Sequence, residues 1–181
     1  MEIVNQPEKE LIAKWAHLLE WTDHIFTWTS PGELCRLAEY AAQASQICEI
    51  GSYHGKSALV MSLANPQAYI LCIDLPESEE AMYKLRSNLA DQPHVHVISG
   101  RSTGLRSLPV PTYDFAFIDG GHLFEDVKGD IANLLPMMNP GSVISGHDWR
   151  KDMNDGVNRG VLHHFDLSRI VINESLWAVK L

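Results

Sequence analysis

Basic residues are scarce in this chain: 14 lysines and arginines stand against 23 aspartates and glutamates, a formal net charge of −9 over 181 residues. A surface of that sign has no general attraction to phosphate backbones or anionic lipid, so nucleic acid is not an expected partner. Cysteine is scarce as well. The three present, Cys35, Cys48 and Cys72, are odd in number and each sits in an apolar run. That pattern excludes a disulfide framework and leads us to expect reduced, buried thiols in an intracellular protein. No uninterrupted apolar stretch reaches the roughly 18 residues that a membrane span needs. The first residues, Met1-Glu2-Ile3-Val4-Asn5-Gln6-Pro7-Glu8, lack the basic start and apolar run of a secretion signal. A cytoplasmic protein without a membrane partner is the expectation. Repeats and low-complexity tracts are absent.

What the chain does have is apolar residues, 45% of the total, in a length that suits one domain. Helical spacing comes first. Leu11, Ile12, Trp15, Leu18 and Leu19 predict a helix from Pro7 to about Glu20. Ser30-Pro31-Gly32-Glu33 is a cap with proline at the first helical position, opening a second helix to about Ala44. Short apolar runs then alternate with helices. Strands are expected at Ile47–Ile50, Tyr69–Ile73, Val95–Ile98, Tyr113–Ile118 and Gly141–Ser145. Helices are expected over Ser57–Ala64, Glu79–Leu89, Phe124–Leu135 and Val157–Phe165. Two last strands, Arg169–Ile172 and Leu176–Lys180, flank the turn Asn173-Glu174-Ser175 and predict an edge hairpin.

This alternation predicts an α/β fold: a Rossmann-like, doubly wound, mostly parallel seven-stranded sheet, with an antiparallel C-terminal edge hairpin and N-terminal helices. Residues 1–45 read as a helical cap and 46–181 as the Rossmann-like core of a single domain 1–181. Right-handed crossovers put the C-terminal ends of parallel strands on one edge, where ligands of open sheets bind. The residues at those ends, Gly51, Asp74, Ser99, Asp119, His147 and Asp148, are therefore expected around one crevice.

Glu49-Ile50-Gly51-Ser52-Tyr53-His54-Gly55-Lys56-Ser57 follows the first of these strands and opens a helix. Its glycines permit a tight turn and close approach of a ligand, and the helix start offers free N–H groups. Gly-Lys-Ser ends the loop that binds nucleoside triphosphates, but that loop needs four residues between its glycines. Ser52, Tyr53 and His54 supply three. A dinucleotide loop needs a second glycine where Ser52 and Tyr53 stand, and a tyrosine there blocks the pyrophosphate. The third reading is S-adenosylmethionine (SAM), for which Glu49, Gly51 and Gly55 match acid-x-G-x-x-x-G. Asp74, ending the second strand, is an acid suited to both ribose hydroxyls.

Together with Phe117-Ile118-Asp119-Gly120-Gly121-His122 and Gly146-His147-Asp148-Trp149, the loop resembles class I SAM-dependent methyltransferases of the small-molecule O-methyltransferase type. The resemblance covers roughly Ile47 to Leu181. It implies a SAM-dependent methyltransferase that modifies a hydroxyl of a phenol or sugar. It implies cofactor contacts at Glu49, Gly51, Ser52, Gly55, Asp74 and Asp119, with Ser99, Gly100, Arg101 and Ser102 beside the adenine. In metal-dependent relatives, such as catechol and macrolide-sugar O-methyltransferases, Asp119, His147 and Asp148 match the metal-ligand positions and His122 matches a general base. Those relatives carry an acid where His147 stands. An imidazole there weakens the case for magnesium and points to manganese, iron or no metal.

Two alternatives to catalysis of methyl transfer fit the same residues. One is a SAM-binding protein without turnover. The other is an iron-dependent hydroxylase using His122, His147 and an aspartate. A small-molecule acceptor is the expected partner, and self-association is compatible with every one of these readings. Elsewhere, Trp21, His24, Phe26 and Trp28 are expected to pack in the core, with a lid over the acceptor as the alternative. His163-His164 is expected to be a solvated or half-buried pair on a helix, and His94 and His96 are expected to be structural.

Overall fold

The computed structural model describes residues 1–75, 78–108, 112–150, 152 and 155–181. In chain order the elements are α1 (Glu8–Trp21), α2 (Pro31–Ala41), β1 (Gln46–Ile50), α3 (Lys56–Ala64), β2 (Tyr69–Asp74), α4 (Glu79–Asn88), β3 (Val95–Ser99), β4 (Tyr113–Ile118), α5 (Phe124–Leu134), β5 (Met138–Gly146), α6 (Gly156–Leu162), β6 (Val171–Asn173) and β7 (Leu176–Lys180). The strands form one seven-stranded sheet in the order β3-β2-β1-β4-β5-β7-β6. β1 pairs in parallel with both β2 and β4. The strand order therefore reverses at β1, the switch point at which such sheets open a crevice. β7 runs antiparallel to β5 and β6, so the C-terminal hairpin inserts its second strand and leaves the three-residue β6 at the edge.

Period-2 patterning explains why both sheet faces are covered. On β1 and β4, Ile47, Phe115 and Phe117 point to one side, where they join Cys35, Leu37, Tyr40 and Met61 from α2 and α3. Cys48, Ile50, Ala116 and Ile118 point to the other, where they meet Val127, Ile131 and Leu134 of α5 and Val161 of α6. Each fully buried side chain of this size contributes roughly 1.5–3 kcal/mol, which holds the helices against the sheet. All three cysteines are buried free thiols.

The N-terminal segment is tied to this core. Ser30 caps α2 in a reciprocal box: its hydroxyl accepts from Glu33 N at 3.2 Å and Glu33 Oε2 accepts from Ser30 N at 2.8 Å. Arg36 Nη1 donates to Val4 O at 2.9 Å, and Lys14 Nζ and Trp15 Nε1 both donate to Glu39 Oε2. The expectation of core packing for the aromatic stretch is corrected here. Trp21, Phe26 and Trp28 are 74%, 57% and 73% exposed. α1 ends at Trp21, and the segment after it is anchored instead by the buried Thr22 and Ile25. A 3-10 helix over Ser102–Ser107, unsignalled by apolar periodicity, follows β3.

Gly51 ends β1 at φ +84°, and a Cβ there would lie 2.2 Å from the backbone oxygen of Asp119. Left-handed backbone costs an alanine roughly 1–2 kcal/mol, and the clash is with a strand end that cannot swing aside. Gly51→Ala is expected to lower the melting temperature by several degrees in scanning calorimetry. An unchanged melting point would mean that the loop does not make this turn.

Candidate active site

Sheet register sets the site. Ile50 lies beside Ile73 on one side and Ile118 on the other, and Ile118 lies beside Gly146. The next residues of these strands, Gly51, Asp74, Asp119 and His147, thus emerge side by side along one edge. They border a crevice of about 1090 Å³, continued by Gly120, Gly121, His122 and Asp148 at its floor and by Arg101 and Ser102 at one end. Volumes near this are typical of pockets that take a cofactor-sized molecule.

The glycine loop is held from two sides. Asp74 Oδ2 accepts from Ser52 N and Tyr53 N, each at 2.6 Å, so an acid of β2 clamps a bend that leaves Tyr53 at φ +47°. Among the described residues no donor meets Asp74 Oδ1. Beneath the loop Glu49, 0% exposed, accepts from the hydroxyls of Ser52 and Ser57. The crevice therefore contains Gly51, Ser52, Asp74, Gly100, Arg101 and Asp119 of the expected cofactor contacts, whereas Glu49, Gly55 and Ser99 do not border it. Glu49 supports the loop from below. Gly55, at φ +87°, is the N-cap that lets α3 start where the loop ends, packed on Leu85 and Leu89. Three features suit an adenosyl ligand with an amino-acid tail: a carboxylate oxygen open to hydroxyl donors, glycine backbone that a ligand can approach closely, and the start of α3 beside Lys56.

A second constellation stands at the far strand ends. His122 Nε2 lies 3.1 Å from Asp148 Oδ2 and 3.9 Å from Asp119 Oδ1. His147 Nδ1 lies 3.6 Å from Asp119 Oδ1 and 3.5 Å from Asp148 Oδ2. Metal–ligand bonds of about 2.1 Å give ligand–ligand edges of about 3.0–3.5 Å; the spacings here, 3.1–3.9 Å, reach slightly beyond that range, and Asp119, His122 and Asp148 bring one ligand atom each within 4.8 Å of one another. The mixed nitrogen and oxygen set suits manganese or iron better than magnesium. Asp148 sits at φ +60°, an uncommon conformation for a non-glycine residue and one concentrated at functional sites.

His147 brings in a residue that the sequence reading missed. Its Nε2 lies 3.2 Å from Glu33 Oε2, 114 residues away, and 3.0 Å from Ser175 Oγ. Glu33 also accepts from the backbone N and the hydroxyl of Ser175. Burial pulls the His147 pKa down, but hydrogen bonds to Asp148 and Glu33 and the charge of Asp119 push it up to about 10. Burial raises Glu33, and the bonds from His147, Ser175 and Ser30 outweigh it and bring the carboxyl to about 2. An imidazole facing three carboxylates attracts a cation, either a proton or a metal ion. His122 is raised by its bond to Asp119 and the charge of Asp148, against a smaller effect of burial.

Over the mouth, Phe26 and Trp28 meet edge to face at 5.0 Å, and Trp28 lies 5.2 Å from Tyr53 of the glycine loop. Phe26 and Trp28 of this stretch thus line the crevice, whereas Trp21 and His24 do not. His54 also lines the crevice, beside Tyr53, whereas the histidines of β3, of the turn before it and of the segment after α6 lie elsewhere. His94 Nε2 bonds Ser62 Oγ at 2.8 Å, His96 stacks on Tyr69, and His164 Nε2 bonds Lys128 O at 2.9 Å while its neighbour His163 is exposed.

Glu49 generates a pH prediction. Burial pushes its carboxyl up to about 7, against the opposing bonds from Ser52 and Ser57. The folded chain thus favours the protonated form. Stability is complete below the usual value of 4.5 and is lost as pH rises through about 7. The loss is on the order of 3 kcal/mol. Denaturant unfolding between about pH 5 and about pH 7.5 is expected to be markedly flatter in Glu49→Gln than in the native chain. Parallel curves would contradict the buried, protonated carboxyl.

Comparison with known proteins follows the same outline. The sequence model of a family described as "Methyltransferase domain" matches residues 48–149. No curated protein is similar in sequence at a significant level. Among solved structures, the chain is similar to an O-methyltransferase from Bacillus cereus in complex with S-adenosylhomocysteine (SAH), at TM-score 0.67 and 18% identity, covering 98% of this chain and 94% of that one. It is similar to a TDP-rhamnose 3'-O-methyltransferase of calicheamicin biosynthesis, at TM-score 0.63 and 13% identity, covering 98% and 96%. It is also similar to a methyltransferase of the mycinamycin pathway in complex with Mg, SAH and mycinamycin VI, at TM-score 0.60 and 18% identity, covering 97% of this chain and 55% of that one. At identities this low the structural likenesses speak for the fold.

Proposed function

We propose that this chain, which belongs to the family of methyltransferase domains, transfers a methyl group from SAM to a hydroxyl of a small molecule of phenol or sugar type. The observation that carries this reading is the pairing of a glycine bend after β1 with a carboxylate at the end of β2, both lining the same crevice. When bound, SAM supplies a methyl group on a positively charged sulfur, an electrophile that needs alignment with the attacking oxygen more than covalent help.

The residues divide the work. Asp74 Oδ1 accepts from ribose hydroxyls while Oδ2 keeps the loop closed. Gly51, Gly120 and Gly121 let the backbone come close. Ser102, bonded to Asp130 Oδ1 and accepting from Asn133 at 3.0 Å, furnishes a polar end for the base. His122, with its side chain 56% exposed, turns Nε2–H toward Asp148 and takes the acceptor's hydroxyl proton at its other ring nitrogen, and Asp119 and Asp148 stabilise the imidazolium that results. Asp119, His147 and Asp148 would hold a divalent cation, whose contribution when bound is to lower the pKa of the acceptor hydroxyl. Phe26, Trp28 and Tyr53 offer aromatic faces to the acceptor ring. The neighbours' sugar acceptor and bound magnesium agree with this reading.

Isothermal titration with SAH is expected to lose at least tenfold in affinity in Asp74→Ala. His122→Ala should bind SAH as the native chain does and lose turnover by about 10²–10⁴-fold. Native affinity in the Asp74 variant would remove the cofactor assignment, and binding of SAM without any product would favour a non-catalytic role. Trp28→Ala is expected to raise KM for the acceptor by about 2- to 10-fold with SAH affinity unchanged. A rise in the SAH dissociation constant instead would assign that ring to the cofactor.

A further inference from the structure

We infer that Glu33 is a positioning residue for the cation centre: its buried carboxylate takes the Nε2–H of His147, so that Nδ1 presents its lone pair to Asp119 and Asp148. The inference rests on the metal reading proposed above and goes beyond it, because it brings an N-terminal helix into the centre.

Helix capping alone does not account for Glu33. A capping-box glutamate needs only to reach back to the cap nitrogen, which Oε2 does at 2.8 Å from Ser30 N. Such a residue normally sits at the surface, since burying a carboxylate is costly unless every lone pair finds a donor. Glu33 is 3% exposed. Its donors come from three distant parts of the chain: Ser30 at the start of α2, Ser175 in the β6–β7 turn, and His147 after β5. Ser175 is itself fixed, because its carbonyl accepts from Trp149 N at 2.8 Å, immediately after the site. The carboxylate and the turn thus hold one ring nitrogen of His147, at 3.2 Å and 3.0 Å, while the other faces the two aspartates at 3.6 Å and 3.5 Å. A metal-ligating histidine requires this division: one nitrogen donates its hydrogen to a carboxylate, which sets the tautomer and ring orientation and makes the ligating nitrogen more basic.

The test uses the full chain with SAH and manganese(II), bound ion being read from the loss of the free-ion signal in electron paramagnetic resonance. Native protein is expected to bind Mn²⁺ and Asp119→Asn to lose it. Glu33→Gln keeps the size of the side chain and an acceptor for Ser30 N; it is expected to weaken Mn²⁺ by about 10- to 100-fold with SAH affinity within about twofold of native. Its turnover should recover at saturating Mn²⁺, a rescue that damaged folding would not allow. Ser175→Ala removes one hydroxyl contact to both partners and is expected to weaken Mn²⁺ by a few-fold; it carries the test where Glu33→Gln fails to fold. Native Mn²⁺ affinity in both variants, beside loss in Asp119→Asn, would overturn the role of Glu33 while leaving the metal centre. Absence of Mn²⁺ binding to the native protein would overturn both, leaving His147 as an imidazolium paired with Glu33.

Discussion

Parallel strands joined by right-handed crossovers must all end on the same edge, and this constraint governs the whole molecule. It draws Gly51, Asp74, Asp119 and His147 from separate segments into one line, because register fixes Ile50 against Ile73 and Ile118, and Ile118 against Gly146. The switch in strand order at β1 then opens a crevice at that line. Burial of both sheet faces keeps the edge rigid: a slip of one residue would turn Glu49 and Phe117 to the opposite side.

Within this frame the glycine loop is held in tension between two acids with opposite duties. Glu49 works from below, out of contact with the crevice, and its protonation keeps a buried group compatible with the core. Asp74 works from the neighbouring strand, where one oxygen accepts from two loop amides and the residue lines the crevice. The acid of acid-x-G-x-x-x-G thus supports the bend, and the acid that ends the next strand clamps it from the side. The helical N-terminal segment meets the same site from above. α2 delivers Glu33 to His147, and the exposed Trp28, packed edge to face with Phe26, reaches Tyr53 of the loop. In this way the part of the chain that lies outside the residues 48–149 matched by the family model borders both the cofactor end and the chemical centre.

Much of this was legible beforehand. Short continuous apolar runs located β1 to β4 and β7 closely and the later part of β5, since strands covered on both faces need continuous apolar residues; β5 begins earlier, at Met138. Ser30-Pro31 marked the start of α2, and the glycine motif marked the switch point. Phe26 and Trp28 were misjudged because an aromatic residue reads as core until the segment carrying it is known to cross a crevice mouth. Glu33 was invisible as a site residue for a related reason: its position three residues after Ser30 has a complete local explanation as a helix cap, so nothing in the sequence asks for a second one.

By itself, then, the order of amino acids determined which segments are strands, which residues end them, and that a glycine turn and the acid of the next strand meet at one sheet edge. These depend on local periodicity and on backbone conformations that few residues can adopt. Only the packed structure decided that Glu33 and Ser175 grip His147, that Glu49 faces the core, and that the aromatic segment lies open. Those contacts join residues that are 142 and 114 positions apart in the case of Glu33. Hydrogen bonds of that kind depend on burial and direction, which no linear spacing encodes.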